Sequence, residues 1–256
     1  MAAEMKVVAI VGMSSCGSTA LSYALGCLPK VLSVGELHWA CDRKFGEVPQ
    51  AQCGRHGTEC ERITEELHTK LTYENAYSVI AERYMPDVLV TADKAMGHIV
   101  RYERLPDFAI LLTRETFSHI QSQVPGYGAE AREVWIRSYQ LAVQQLLEHD
   151  IPFCHVHADT FFSIATSEFP EDHKQFDWLS EATGGILPAG RNHLLRIKGC
   201  QWGGSRKVHE SERFDARALC RARDEATDPQ REAMRQSIES TWSWLVNLPV
   251  KHLNWV

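Results

Sequence analysis

The densest chemical signal lies near the start of the chain, in Gly12-Met13-Ser14-Ser15-Cys16-Gly17-Ser18-Thr19. It follows Lys6–Gly12 (KVVAIVG), an apolar, β-branched run ending in Gly, which predicts a buried parallel strand. It precedes residues 20–28, which have helical character and stop before Pro29. A helix N-terminus presents amides that lack an intrahelical partner, together with the positive end of the helix dipole. Gly12 ends the strand, Gly17 lets the backbone turn closely, and Ser18 and Thr19 add hydroxyl donors. The expected chemistry is anion binding, above all of a phosphate. An ordinary Gly-containing turn between strand and helix has the same outline.

The glycine spacing and Thr19 fit the phosphate-loop pattern G-x-x-x-x-G-K-[ST], but Ser18 stands where that pattern has Lys. That Lys reaches the β/γ-phosphates of a nucleotide. Its absence counts against a P-loop kinase or NTPase, which stays open as an alternative.

Cys53 and Cys60, with Cys41, His38 and His56 nearby, are of zinc-ligand type. The interval from Cys53 to Cys60 is longer than the short Cys-to-Cys spacings of structural zinc sites. Reduced, partly buried thiols are therefore the expectation, with no metal.

These residues need elements to position them. Residues 31–34, 87–91, Phe108–Thr113 and Phe153–His157 read as further buried strands. Residues 62–85 carry apolar residues at helical spacing, enough for one or two helices. Residues 132–149 form a strong amphipathic pattern, with Val134, Leu141, Leu146 and Leu147 on or near one face. Residues 172–182 and 230–246 read as later helices. Residues 41–61, rich in Gly, Cys and charge, read as an inserted loop, and residues 191–208 as a long basic loop. Strands alternating with helices predict one α/β domain over residues 1–256, a P-loop-type three-layer fold with a central parallel sheet and helices on both faces.

Composition allows this. With 44% hydrophobic residues in 256, the chain can build one sizeable core. A net charge of -6 argues against general nucleic-acid binding, yet a few local cations suffice for an anionic small molecule. The eight cysteines are scattered and do not form the pattern of a small disulfide scaffold. Glu4 and Lys6 before a short apolar stretch do not resemble a signal peptide, and no run approaches the ~18 apolar residues of a membrane span. The expectation is a cytoplasmic protein with no membrane partner.

Residues 11–21 resemble the phosphosulfate loop of the sulfotransferase superfamily, VG-x-P-[RK]-S-G-[ST]-T-x-L. The family's Pro falls on Ser14, its basic residue on Ser15 and its first Ser on Cys16, while Gly17, Ser18 and Thr19 agree. The resemblance implies that Ser14, Ser15, Cys16, Gly17, Ser18 and Thr19 grip the 5′-phosphosulfate of 3′-phosphoadenosine 5′-phosphosulfate (PAPS). It also implies transfer of a sulfuryl group to an acceptor, leaving PAP. In the family the residue at Ser15 is a cation that stabilises the bridging oxygen. Ser15 therefore keeps open a PAPS-binding protein that has lost turnover.

Gly35-Glu36 is similar to the Gly-Glu of tyrosylprotein and carbohydrate-type sulfotransferases, which makes Glu36 the implied general base. A carboxylate suits a task in which the acceptor loses a proton as it attacks sulfur. His38 is a rival base. Residues 108–122 resemble the family's strand-R-D-x-x-x-x-x-x-S element, which places Arg114 and Ser122 on the 3′-phosphate, with Glu115 in place of Asp. A guanidinium can donate two hydrogen bonds to one phosphate. Asp93-Lys94 is similar to the Lys-x-Pro segment, with Met96 departing from it, and Lys94 is the implied substitute for the missing charge at Ser15. Residues 196–207 (RIKGCQWGGSRK) resemble the late loop over PAP, offering Lys198, Gly199, Ser205 and Arg206. Trp202 either stacks on adenine or packs. Trp39, Tyr127, Trp135 and Tyr139 either line an acceptor pocket or belong to the core. The expected partner is a small-molecule acceptor with a hydroxyl or an amine or amide nitrogen, and the scheme needs no metal.

Overall fold

The computed structural model describes residues 4–114, 131–158, 175–189 and 199–204. Five strands form one parallel sheet: β1 Lys6–Gly12, β2 Val31–Gly35, β3 Val88–Lys94, β4 Phe108–Thr113 and β5 Phe153–His157. Their spatial order is β2-β3-β1-β4-β5. Strand β1 is central, and Val7 to Val11 are wholly buried, which explains its unbroken apolar run.

Helices cover both faces. On one face Val8, Ile10, Ile110, Leu112 and Val156 pack against α1 (Ser18–Leu25) and against Phe176 and Leu179 of α7 (Gln175–Ala182). On the other, Ala9, Val11, Ala109 and Leu111 meet α5 (Met96–Ile99) and α6 (Ala131–Glu148), while Val7, Val34 and Leu89 meet α4 (Ala76–Tyr84). Two short helices, α2 (His38–Asp42) and α3 (Glu65–His68), lie between β2 and α4 in the chain. The three-layer α/β architecture is thus present. Among the described residues no helix is long and apolar enough to cross a membrane.

Two local expectations change. The buried stripe of α6 is Trp135, Tyr139, Val143 and Leu146, whereas Leu141 and Leu147 are half exposed. The aromatic residues carry that stripe, so counting aliphatic residues alone rotates the face. Trp135 and Tyr139 are therefore core residues, and the Tyr139 hydroxyl donates to the Leu112 carbonyl at 2.9 Å. Strand β3 runs on to Lys94, past the expected end at residue 91, because Ala92 and Asp93 are buried too. Segment 41–61 has little regular structure. Ala51, Cys53 and Cys60 are buried, and the two cysteines belong to the core shared with α4. The expected helix over 230–246 lies outside the described residues.

Candidate active site at the carboxyl edge of the sheet

The carboxyl ends of β1, β2, β3 and β4 deliver Gly12, Gly35-Glu36, Lys94 and Arg114 to one edge. The chain leaves β1 toward β2 and leaves β4 toward β5, so β1 and β4 flank a switch point, the usual place for a ligand in an open α/β sheet.

The loop after β1 turns through two left-handed residues, Ser15 (φ 65) and Gly17 (φ 97). Turns of this kind let successive backbone N–H groups converge on an anion. Gly17 caps α1 without a side-chain hydrogen bond, and the first turn of α1 has no acidic residue, which suits a negative guest. Cys16 is wholly buried, and its backbone N donates to the Met13 carbonyl at 3.2 Å, so it supplies packing and closes the turn rather than presenting an exposed thiol. Burial pushes its thiol pKa up, and the charge of Lys94 pulls it partly back. Lys94 also pairs in register with Val11, at the end of β1 just before this loop. Arg114 reaches the loop from β4, donating to the Ser15 carbonyl at 3.3 Å. Arg114 thus contacts the backbone at the position where the sequence has only Ser15.

Glu36 is buried, and each of its oxygens has a partner. Lys94 Nζ donates to Oε1 at 2.5 Å, and Trp39 Nε1 donates to Oε2 at 2.9 Å. The register of β2 and of β3 slips by one residue just before these side chains, between Ser33 and Gly35 and opposite Ala9 to Val11. Such bulges re-aim the residues that follow. Segment 201–203 supports Glu36 from behind. Trp202 N donates to the Val34 carbonyl at 2.8 Å, and Glu36 N donates to the Trp202 carbonyl at 2.9 Å. A Cβ on Gly35 would stand 2.4 Å from the Trp202 carbonyl, so only glycine lets that segment approach. Trp202 is itself buried, with Nε1 facing His68 Nδ1 at 3.3 Å, so it packs and does not stack on a ligand.

His38 forms a separate dyad. Its backbone N donates to Asp93 Oδ1, and its Nδ1 lies at 2.9 Å from the same oxygen. The Tyr102 hydroxyl donates to Asp93 Oδ2 at 2.9 Å. His98 stacks on the His38 ring at 4.0 Å, and burial and then His38 hold its pKa below the usual value.

Ser122, Lys198, Ser205, Arg206 and Tyr127 lie outside the described residues. Gly199 is described and has φ 115, but it stands beside Cys200 at the β2 edge, with Val31 to Val34 and Ile63 lining the same cleft. Cys53, His56 and Cys60 come together with Cys200, while Cys41 and His38 stay apart from them. Sequence reading missed Cys200, which joins the group from far along the chain, and the role of Asp93 as anchor for His38. A lone Asp inside an apolar strand was the available signal for the latter.

Sequence comparison finds no matching family model and no matching curated protein. Structure comparison does find similar folds. The chain is similar to the sulfotransferase domain from the Synechococcus PCC 7002 olefin synthase, with a TM-score of 0.60 and 13% identity over 96% of each chain. It is similar also to the sulfotransferase domain from the curacin biosynthetic pathway, with a TM-score of 0.57 and 18% identity over 91% of this chain and 98% of that one. The chain therefore has the α/β fold of these sulfotransferase domains.

Proposed function

We propose that the protein is a sulfotransferase that moves a sulfuryl group from PAPS to a hydroxyl or nitrogen of a small-molecule acceptor, leaving PAP. The observation that carries this reading is the buried Glu36–Lys94 pair at the carboxyl edge of the sheet, with Lys94 in register with Val11 just before the loop after β1, in a chain with the fold of sulfotransferase domains. A carboxylate and a cation at a phosphate site are what in-line transfer to a weakly acidic acceptor needs.

The donor supplies an activated sulfuryl group on a phosphate leaving group, and the chain's own residues do the rest. The loop Ser14–Thr19 holds the 5′-phosphate end through backbone amides and the start of α1. Arg114, with Ser122, takes the 3′-phosphate. Lys94, paired with Glu36 and in register with Val11 just before the loop, takes the role of the cation missing at Ser15.

Glu36 accepts the acceptor's proton as the acceptor's oxygen or nitrogen bonds to sulfur. The bond from sulfur to the bridging oxygen breaks, and its electron pair leaves with PAP. Lys94 holds Glu36 until the donor's charge competes for the ammonium, and a carboxylate released from a cation is a better base. His38, oriented by Asp93, is the rival base. The P-loop kinase or NTPase and the PAPS-binding protein without turnover are the competing readings.

Calorimetry tests the donor assignment. PAP is expected to bind without metal, and ATP with Mg2+ is expected to bind much more weakly. Binding of ATP with Mg2+ but not of PAP would sink the reading.

A further inference from the structure

Outside this site, Cys53, His56, Cys60 and Cys200 bring one ligand atom each to within 4.8 Å of one another. Two residues separate Cys53 from His56 and three separate His56 from Cys60, a compact Cys-x-x-His-x-x-x-Cys run. The fourth group comes from the segment that backs Glu36.

The two sulfur-to-nitrogen distances at His56 match a tetrahedral ion. Zinc bonds of about 2.3 Å to sulfur and about 2.0–2.1 Å to nitrogen set the sulfur-to-nitrogen edge of the tetrahedron at about 3.6 Å. His56 Nδ1 lies 3.5 Å from Cys53 Sγ and 3.5 Å from Cys200 Sγ. Two of the sulfurs also have the backbone support that thiolate ligands need. His56 N donates to Cys53 Sγ at 3.4 Å, and Ile63 N donates to Cys60 Sγ at 3.3 Å. The three cysteines are free of disulfides. A disulfide would use two of the four groups and leave the convergence of His56 unexplained.

We infer that Cys53, His56, Cys60 and Cys200 form a structural zinc site that fastens segment 199–204 to the loop carrying Cys53. Three thiols would each release a proton on binding one Zn2+, with His56 neutral. Four protein ligands fill a tetrahedral ion and leave no position for substrate, so the site is structural. A mixed thiolate and imidazole set suits zinc over hard cations such as Mg2+. Its placement gives it a purpose. Gly54 N donates to the Gln201 carbonyl at 2.9 Å and Gly203 N to the Gln50 carbonyl at 3.0 Å, and the same segment holds the Glu36 backbone. The ion would lock these contacts. The inference stands apart from the proposed activity, because metal content is read on the protein directly.

The test uses the full chain purified without chelator. Elemental analysis should find about one zinc per chain. Cobalt exchange should give the intense visible bands of a tetrahedral thiolate complex. His56→Ala, at an exposed position, should lower zinc affinity by more than ~100-fold while the chain stays folded by circular dichroism. His56→Cys should restore zinc and strengthen the thiolate-to-cobalt charge-transfer band. Cys200→Ser should lose zinc as His56→Ala does. A folded chain that takes up no zinc would overturn the inference. So would a mass showing a disulfide within the group, or zinc held equally well by a chain carrying both His56→Ala and Cys200→Ser.

Discussion

Replacing Lys94 by Met would strand a buried carboxylate. The Glu36 side chain is 9% exposed and that of Lys94 16%, with 2.5 Å between the charged atoms. At an effective dielectric of about 20, their attraction is about 7 kcal/mol. Most of this offsets the desolvation of both ions, so the pair's net worth is far smaller than its attraction. Removing one partner is another matter, since the remaining charge keeps its desolvation penalty. Lys94→Met should therefore cost about 3–5 kcal/mol. The double variant Glu36→Gln/Lys94→Met buries no charge and should lose less than Lys94→Met alone. Urea unfolding of the wild type, both single variants and the double variant at neutral pH gives the coupling energy. A coupling of about 2 kcal/mol or more is expected. Additivity within about 0.5 kcal/mol would refute the pair as a structural unit.

His155 gives the stability a pH dependence. Burial, and then the charge of His157, lower its pKa to about 3, and Thr113 Oγ1 lies 2.7 Å from its Nε2. The unfolded chain binds this proton near pH ~6.5, so stability from this group is complete above that pH and falls as pH drops toward 3, by up to ~1.4 kcal/mol per unit. His155→Gln should flatten urea midpoints measured across that window, and an unchanged slope would show that another group is responsible. Gly203→Ala places a Cβ 2.8 Å from both Glu36 Cβ and Trp39 Cδ1 at a φ of +60. It should cost about 1–2 kcal/mol and lower turnover by ~10–100-fold, read by thermal unfolding and transfer rate. Unchanged turnover would mean that this segment does not position Glu36.

Much of this was legible in the sequence because it is local. The strand Lys6–Gly12, the loop and the helix that follows announce themselves within a few turns of chain, as do Phe108–Thr113 and Phe153–His157, which the structure reproduces end to end. Long-range pairing was not legible. Nothing near Glu36 says that Lys94 reaches it, because a one-residue bulge in each strand decides where those side chains point. Nor does anything near Cys53 announce Cys200. The face of α6 was misread for a different reason: aromatic residues outweigh the smaller aliphatic ones when a helix selects its buried side.

The central claim is that Glu36 takes a proton during sulfuryl transfer. It is tested by incubating the wild type and Glu36→Gln with PAPS carrying radioactive sulfur and a panel of small alcohols and amines. The wild type should label at least one acceptor, and Glu36→Gln should fall by ~100-fold or more with PAP binding unchanged. Transfer by Glu36→Gln at the wild-type rate, or no transfer by a wild type that binds PAP, would contradict it.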